Sequence, residues 1–338
     1  MRLARVSWAR LLLWLALPVA LAVAFRGVRL EEVGRTLSRL GPGPIVVLAL
    51  VNLGVVAAFA ARWWVLLAAD GHRISYGLLT MYRLAAFAIS YFTPGTQFGG
   101  EPLQVYFLQK RHGVPLATAT ASIVLDRVLE LMANFAFLAL GMAVVIRLRI
   151  YPEGTGLLLI AASVGLLVLP AAYLTAVFLG RRPGGWILGR LPLPSSRAWV
   201  DRLRRFVHTA EGEAHRMARQ RPIGIVGAVC ASALTWGALL AEWWLATTYL
   251  GFALDPARLI AVVTATRLAF LVPVPGGLGA LEASLILSLT ALGYRVEQAL
   301  GLALLIRVRD VAFGAVGLWL GGALAGGPAG DKRPQLSR

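Results

Sequence analysis

Charged side chains stand inside several segments of this sequence that are otherwise apolar. An isolated arginine or aspartate at the centre of a bilayer costs at least ~2.5–3.5 kcal/mol, so such residues pair with one another or face a polar cavity. The charged residues in question are Arg83, Glu101, Asp126, Arg127, Glu130, Arg267, Glu282, Arg307, Arg309 and Asp310. Two hypotheses follow: buried ion pairs that lock helices together, and a polar site through which a substrate crosses the membrane. The recurrence of an arginine and a carboxylate three residues apart, at 127/130 and 307/310, favours the second.

Two breaks rich in glycine and proline interrupt apolar segments of the chain. The first lies at 93–101 within segment 78–111, and the second lies at 272–279 within segment 257–293. A helix that begins after such a break presents unsatisfied backbone N–H groups and the positive end of its dipole, which together can hold a phosphate. The alternative is a kink that serves only close packing. On the first hypothesis the phosphate contacts come from Gly99, Gly100, Gly276 and Gly277.

Residue patterns typical of catalysis or metal binding do not occur in this sequence. Its four histidines lie in or next to polar segments, without the spacing of a zinc site or a catalytic triad, and no glycine-rich nucleotide-binding loop is present. The single cysteine, Cys230, excludes an intrachain disulfide and a cysteine-based metal cluster. We therefore expect neither an enzyme activity nor a metal nor a cofactor.

The elements that must position these residues are membrane helices. Of the 338 residues 58% are hydrophobic and only 14% are charged, against about 25% charged residues in soluble domains. Apolar stretches of about 20 residues cross a bilayer as helices, and the chain has several of them. We therefore predict an all-α polytopic membrane protein. The two broken segments have arms of about 11–16 residues, too short for a full crossing, which predicts two re-entrant helical hairpins; two tilted spans each are the alternative. About six full spans are predicted, at 8–25, 44–69, 115–146, 156–179, 222–250 and 297–325.

The basic residues predict the orientation of the chain. Its net charge is +17, but the basic residues lie in short segments beside apolar spans, which is typical of loops facing anionic lipid rather than of nucleic-acid binding. Segment 180–221 holds ten arginines and is therefore predicted to be cytoplasmic, either as a basic interfacial helix at 197–221 or as a solvated loop. The resulting topology places 19 basic residues inside and seven outside, with both termini in the cytoplasm and the protein in the cell membrane.

An internal repeat with a constant offset organises the chain. The two Trp-Trp pairs, at 63–64 and 243–244, define this repeat offset, which is 180 residues. We expect one transmembrane domain over 1–338, with repeat 1 at about 44–146 and repeat 2 at about 222–325. In the predicted topology the chain enters the two hairpins from opposite sides of the membrane. This arrangement is the inverted repeat of many transporters. The same offset relates Gly71 to Gly251, Gly99 to Gly279, Gly113 to Gly293, Arg127 to Arg307, Val128 to Val308 and Gly141 to Gly321.

Four motifs together resemble the transmembrane region of lysylphosphatidylglycerol synthases, also called the flippase-like or UPF0104 family, over about 8–325. The resemblance implies a translocase that moves a phospholipid or a glyco- or isoprenoid lipid between leaflets. Two-part relatives continue into a soluble aminoacyl-transferase domain; this chain ends at Arg338, so we expect no transferase activity from it. Many relatives carry a base where this sequence has Gln104. The motifs are Thr93-Pro94 with Gly99-Gly100-Glu101-Pro102, Leu125-Asp126-Arg127 with Glu130, Pro273 to Gly279 with Glu282, and Arg307 with Asp310.

The sequence thus predicts a flippase-like carrier whose partners are anionic or phosphate-bearing membrane lipids, with a lipid-biosynthetic enzyme as a further candidate partner and no nucleic acid. The alternatives are a membrane-embedded component of a lipid-modifying transferase and a scaffold that does not transport. The identity of the lipid, the direction and energy source of transport, and the oligomeric state stay open. The predicted head-group-binding residues are Arg83, Gly99, Gly100, Glu101, Asp126, Arg127, Glu130, Arg267, Gly276, Gly277, Glu282, Arg307 and Asp310.

Overall fold

The computed structural model describes residues 40–93, 99–150, 156–192, 198–271, 277 and 279–326. These residues form helices and no strand, which confirms the all-α class. The predicted span 8–25, both chain ends, most of the two breaks and Gly276 lie outside the described residues. The helices are α1 (Pro42–Ala69), α2 (Tyr76–Phe92), α3 (Glu101–His112), α4 (Leu116–Arg147), α5 (Gly156–Phe178), α6 (Pro183–Arg190), α7 (Ala198–Gln220), α8 (Pro222–Tyr249), α9 (Pro256–Ala269), α10 (Ala280–Ala291) and α11 (Val296–Gly326).

Four of the described helices, α1, α4, α5 and α8, are long and apolar enough to cross a membrane. In their most apolar windows only 17–39% of the residues are buried within the protein. Such helices expose apolar side chains over most of their circumference, which is stable in lipid and not in water. The chain is therefore a membrane protein with several spanning helices. α11 is as long as these helices but carries Arg307, Arg309 and Asp310 in its middle.

Helix boundaries recur with the offset seen in the sequence. α1 and α8 both have 28 residues, and their first residues, Pro42 and Pro222, are related by that offset. The first residues of α2 and α9 are related in the same way, as are those of α4 and α11, while α10 begins one position earlier than its counterpart α3 predicts. The described chain therefore contains two units of four helices in the same order, α1 to α4 and α8 to α11, joined by α5, α6 and α7.

Glycines that recur at the offset occupy left-handed backbone conformations in both units. Gly99 and Gly279, which precede α3 and α10, have φ of 130° and 77°. Gly113 and Gly293, which follow those helices, have φ of 65° and 85°. A side chain is strained in this region of φ and ψ, so the repeated glycines reflect the same turn built twice.

The two units are intertwined by close helix packing. α1 packs along α8, α2 packs along α11, and α9 packs against α4. Gly317 of α11 lies so close to α2 that an added Cβ would collide with the carbonyl oxygen of Leu84. Likewise, an added Cβ at Gly141 of α4 would collide with Thr264 of α9. The first hairpin helix of each unit therefore packs against the last helix of the other unit.

The basic segment before the second unit forms a packed helix. α7 contacts α4, α5 and α8, and it buries Ala214, Met217 and Ala218 against them. Arg216 of α7 joins Asp70 at the end of α1, with Nη1 lying 2.8 Å from Oδ1. Hydrogen bonds from Arg216 to Asp70 and to Glu213 raise the pKa of the guanidinium. The alternative of a solvated loop at 197–221 is therefore wrong for the described residues 198–220.

Candidate functional site

The first charge cluster joins α1, α2 and α4. Arg62 Nε lies 2.7 Å from Asp126 Oδ1, and Arg62 Nη2 lies 2.7 Å from Glu130 Oε2. Arg83 binds the same two carboxylates, with its Nη2 lying 2.7 Å from Glu130 Oε2. Arg62 and Asp126 are almost fully buried, and buried charges are stable only when they are paired and hydrogen-bonded. Arg62, Arg83 and Asp126 therefore hold the three helices together.

Arg127 and Glu101 extend this cluster to the start of α3. Arg127 Nη2 lies 2.7 Å from Glu101 Oε1, and its Nη1 lies 3.1 Å from Glu130 Oε2. The side chains of these three residues are about one-fifth exposed, in contrast to Arg62 and Asp126. The i,i+3 pair predicted at 127/130 is confirmed, and this end of the cluster is accessible from a cavity.

Backbone donors at the hairpin turns already have partners. Gly99 N–H donates to Glu101 Oε2 at 2.7 Å, and Gly100 N–H donates to Ser90 Oγ at 3.0 Å. The sequence predicted these N–H groups to be free for a phosphate, and in the structure the protein's own side chains occupy them. Gly279 N–H likewise donates to Glu282 Oε2 at 2.8 Å. Gly100 also packs against the backbone of Ala86, where no Cβ would fit.

The second charge cluster repeats the pattern in the second unit. Arg307 Nε and Nη2 lie 2.8 and 3.0 Å from the two oxygens of Glu282. The other Arg307 contacts are the Gly277 carbonyl oxygen at 2.8 Å and the Tyr91 hydroxyl at 3.2 Å. In each unit an arginine of the last helix therefore binds a glutamate that also caps the second hairpin helix. The two units therefore contain the same arginine–glutamate contact at equivalent places.

The third charge cluster joins α8 to α11. Arg309 lies between two carboxylates: its Nε and Nη2 are both 2.8 Å from Asp310 Oδ1, and its Nη1 contacts Glu242 Oε1. Glu242 Oε2 is buried and has no hydrogen-bond partner. One guanidinium therefore faces two carboxylates, which leaves this cluster with one more carboxylate than arginine.

Arg267, near the end of α9, differs from the arginines of the three charge clusters. Its guanidinium carbon lies 5.1 Å from the ring centroid of Trp236, and it makes no ion pair within 4 Å to any residue that the structure describes. One cavity is lined by Arg267 together with Arg309 and the carboxylates Glu130, Glu242 and Asp310. A guanidinium over an aromatic face keeps its donors available to a planar or tetrahedral anion.

Two adjoining cavities of about 160 and 180 Å³ lie between the units. Both are lined by Phe59, Arg127, Glu130, Leu239, Arg267 and Phe270. The larger cavity also reaches Arg83, Tyr91, Gln104, Glu242, Arg309 and Asp310. Space of this size holds several water molecules or a small polar head group. The apolar walls and convergent charged groups are typical of a ligand site.

Sequence reasoning missed Arg62 and Glu242, which anchor the first and third clusters. They stand directly before the two Trp-Trp pairs and are therefore related by the repeat offset. Opposite charges at matched positions hid the correspondence, because the repeat was recognised from identical residues. Their shared place before a paired landmark is the signal that identifies them.

Comparison with known proteins gives a match over most of the chain. The family described as lysylphosphatidylglycerol synthase TM region matches residues 6–317. A UPF0104 membrane protein of Methanothermobacter thermautotrophicus is 24% identical over 278 residues, which cover 79% of this chain and 81% of the relative. A UPF0104 membrane protein of Methanocaldococcus jannaschii is 25% identical over 113 residues, which cover 33% of each chain. The family match contains all three charge clusters and Arg267.

Proposed function

This chain belongs to the lysylphosphatidylglycerol synthase TM region family, as its motifs predicted, and we propose from this premise that it is a lipid translocase. Its substrate is a phosphate-bearing phospholipid or a glyco- or isoprenoid lipid, which it moves between the two leaflets. The acyl or isoprenyl tails stay in the bilayer while the head group passes through the cavity between the units.

The single observation that carries this proposal is the placement of Arg267. It lines both cavities, and the described chain offers it an aromatic ring but no ion-pair partner. Arg127 lines the same two cavities and is partly accessible. Two guanidinium groups in a mostly apolar cavity suit a phosphate, which accepts charge-assisted and bidentate hydrogen bonds.

The remaining predicted site residues position this pair of arginines. Arg83, Asp126 and Glu130 form the wall behind Arg127. On the other side Glu282 and Arg307 hold Gly277 and the start of α10 in place. We assign these side chains to maintaining the shape of the cavity rather than to the first contact with the lipid.

For the topology we propose an inverted repeat with re-entrant hairpins. The helices of the hairpins have 17, 12, 14 and 12 residues, or roughly 18–26 Å at 1.5 Å per residue, short of a ~30 Å hydrocarbon core. Six full spans then leave both termini and α7 in the cytoplasm, with the protein in the cell membrane. Matched helix boundaries and the exchanged packing of α2 on α11 and α9 on α4 support this arrangement.

The test is a leaflet assay with the full chain purified and reconstituted in liposomes. The probes are fluorescent phosphatidylglycerol and a fluorescent polyisoprenyl phosphate, with protein-free liposomes as the control. We expect inner-leaflet probe to become accessible to an external quencher only when the protein is present. Absence of movement for every probe, in protein that is folded and inserted, would contradict the proposal.

Two other outcomes identify the alternative functions. A lipid product that forms only when an aminoacyl or glycosyl donor is added would show a membrane-embedded transferase. A cellular phenotype that survives neutralisation of Arg127 and Arg267 would favour a scaffold, because a scaffold does not need a charged cavity.

A further inference from the structure

Positive and negative side chains are equal in number across the three charge clusters and Arg267. Three arginines face three carboxylates in the first cluster, and Arg307 faces Glu282 in the second. In the third cluster Arg309 faces both Glu242 and Asp310. The extra negative charge of the third cluster is therefore balanced by Arg267, across the cavity that they line together.

Binding of an anion changes this balance. A phosphate that pairs with Arg267 uses the positive charge that otherwise offsets Glu242 and Asp310 across the shared cavity. The third cluster then keeps an uncompensated negative charge inside an apolar bundle, and such a charge is costly in a low-dielectric environment. The uptake of one positive charge restores neutrality.

Glu242 is the carboxylate best placed to accept that charge. Its Oε1 contacts Arg309, whereas its Oε2 is buried and has no hydrogen-bond partner. A proton needs a single oxygen, while a metal cation needs several ligands. The titratable and charged groups around the cavity on the neighbouring helices are Arg62 of α1, Arg83 and Tyr91 of α2, Arg127 and Glu130 of α4, Arg267 of α9, and Arg309 and Asp310 of α11.

We propose that Glu242 takes up one proton from water when a phosphate-bearing head group binds Arg267, so that lipid and proton cross the membrane together. The carboxylate becomes a neutral carboxylic acid while the head group is bound. When the head group leaves, the proton returns to water and Arg267 again balances the third cluster. This inference rests on the proposed function and assigns its energy source to a proton gradient.

The test measures protons during binding of a defined probe. Full-length protein in an uncharged detergent and a weak buffer is titrated with short-chain phosphatidylglycerol. A pH-sensitive dye records proton uptake during the titration. We expect about one proton taken up for each lipid bound by the wild-type protein. Glu242→Gln should bind the lipid without proton uptake, because its side chain is neutral in both states. Glu297→Gln, at the start of α11 and away from the cavity, is the matched control and should behave as wild type.

Each outcome bears on one of the two proposals. If the wild-type protein binds the lipid without proton uptake, this result alone overturns the inference. Proton uptake that persists in the folded Glu242→Gln variant also overturns the inference. So does the uptake of a sodium ion in place of the proton. Lipid movement in liposomes together with the absence of proton uptake would overturn this inference alone and leave the translocase intact. Proton uptake together with the absence of movement would contradict the translocase.

Discussion

Arg307 and Glu282 form a two-point ion pair that ties the middle of α11 to the first turn of α10. Nε lies 2.8 Å from Oε1 and Nη2 lies 3.0 Å from Oε2. Because Glu282 also accepts the Gly279 N–H, the pair fixes the start of α10 as well as its position against α11. In the corresponding pair of the first unit, Arg127 and Glu101 meet at 2.7 Å, but both side chains are about one-fifth exposed and Arg127 lines the cavity.

This difference predicts separate consequences for two equivalent arginines. Arg307 is 2% exposed and also binds the Gly277 carbonyl oxygen and the Tyr91 hydroxyl, so Arg307→Ala should leave these buried groups without their partner and cost about 1–3 kcal/mol of stability. Arg127→Ala changes a site whose side chains are about one-fifth exposed, so it should keep most of the stability while losing lipid movement. Thermal unfolding in detergent and the leaflet assay measure the two effects. Equal destabilisation of both variants would show that both pairs are structural.

Much of the helical framework follows from the sequence alone. The apolar segments at 44–69, 115–146 and 222–250 match α1, α4 and α8 within a few residues, because uninterrupted apolar runs of this length have few alternatives to a helix in a membrane. The glycine pairs also predicted the shared turns, since a left-handed conformation restricts residue type. Helix spans and glycine turns can be predicted because each depends on residues that are neighbours in the sequence.

Contacts between the two units were not predictable in the same way. The repeat offset indicates which helices correspond, but it does not show that α2 packs on α11 and α9 on α4. Nor does it show that Glu101 and Ser90 accept hydrogen bonds from Gly99 and Gly100. These contacts depend on the three-dimensional path of the chain. The same holds for the partners of Arg62 and Glu242, although the matched positions of these two residues can be read from the sequence.

Substitution of Arg267 should affect lipid movement and leave the fold intact. Arg267→Ala removes a charge whose contact in the described chain is the Trp236 ring, a cation–π interaction of about 0.5–2 kcal/mol. We expect loss of movement of phosphate-bearing lipid. Expression should stay near normal, because a proton on Glu242 replaces the positive charge that Arg267 no longer supplies to the third cluster. Arg258→Ala, on the same helix, removes an exposed pair with Asp255 and serves as the control with unchanged movement. Wild-type movement in Arg267→Ala would contradict the proposed head-group site.

The close contact between the two units predicts an effect of a single methyl group. In Gly317→Ala the new Cβ would collide with the Leu84 carbonyl oxygen and lie 2.9 Å from Ala88 Cβ, so overpacking should cost about 1–3 kcal/mol. Gly54→Ala on α1 meets nothing within 4 Å and should gain roughly 0.5–1 kcal/mol from the higher helix propensity of alanine. Unfolding temperatures that shift in the same direction for both variants would contradict this packing.

Loss of Arg216 should release α7 from the end of α1. The Asp70 side chain is 1% exposed, so Arg216→Ala leaves a buried carboxylate without its main partner and should cost about 1–3 kcal/mol. Because the pKa of Arg216 is raised, the stability from this pair is complete below the ordinary pKa of arginine and is lost only at more alkaline pH. The difference between variant and wild type should therefore be the same at pH values on both sides of neutrality. Arg219→Ala, exposed on the same helix, is the control; proteolysis of α7 and thermal unfolding are the measurements.

Labelling from the two sides of the membrane tests the inverted arrangement. If α7 is cytoplasmic and the second hairpin is entered from outside, Arg202 and Ala257 lie on opposite sides, since α8 crosses the membrane between them. Single cysteines are placed at these exposed positions in a Cys230→Ser background. An impermeant maleimide should label one of them in intact cells and the other in inverted vesicles.

A cysteine at Gly71, which the repeat relates to Gly251, should share the side of Arg202, whereas one at Gly251 should share the side of Ala257. This outcome follows because equivalent turns of an inverted repeat face opposite leaflets. Labelling of Gly71→Cys and Gly251→Cys from the same face would exclude the inverted repeat, and with it a cavity reached alternately from the two leaflets.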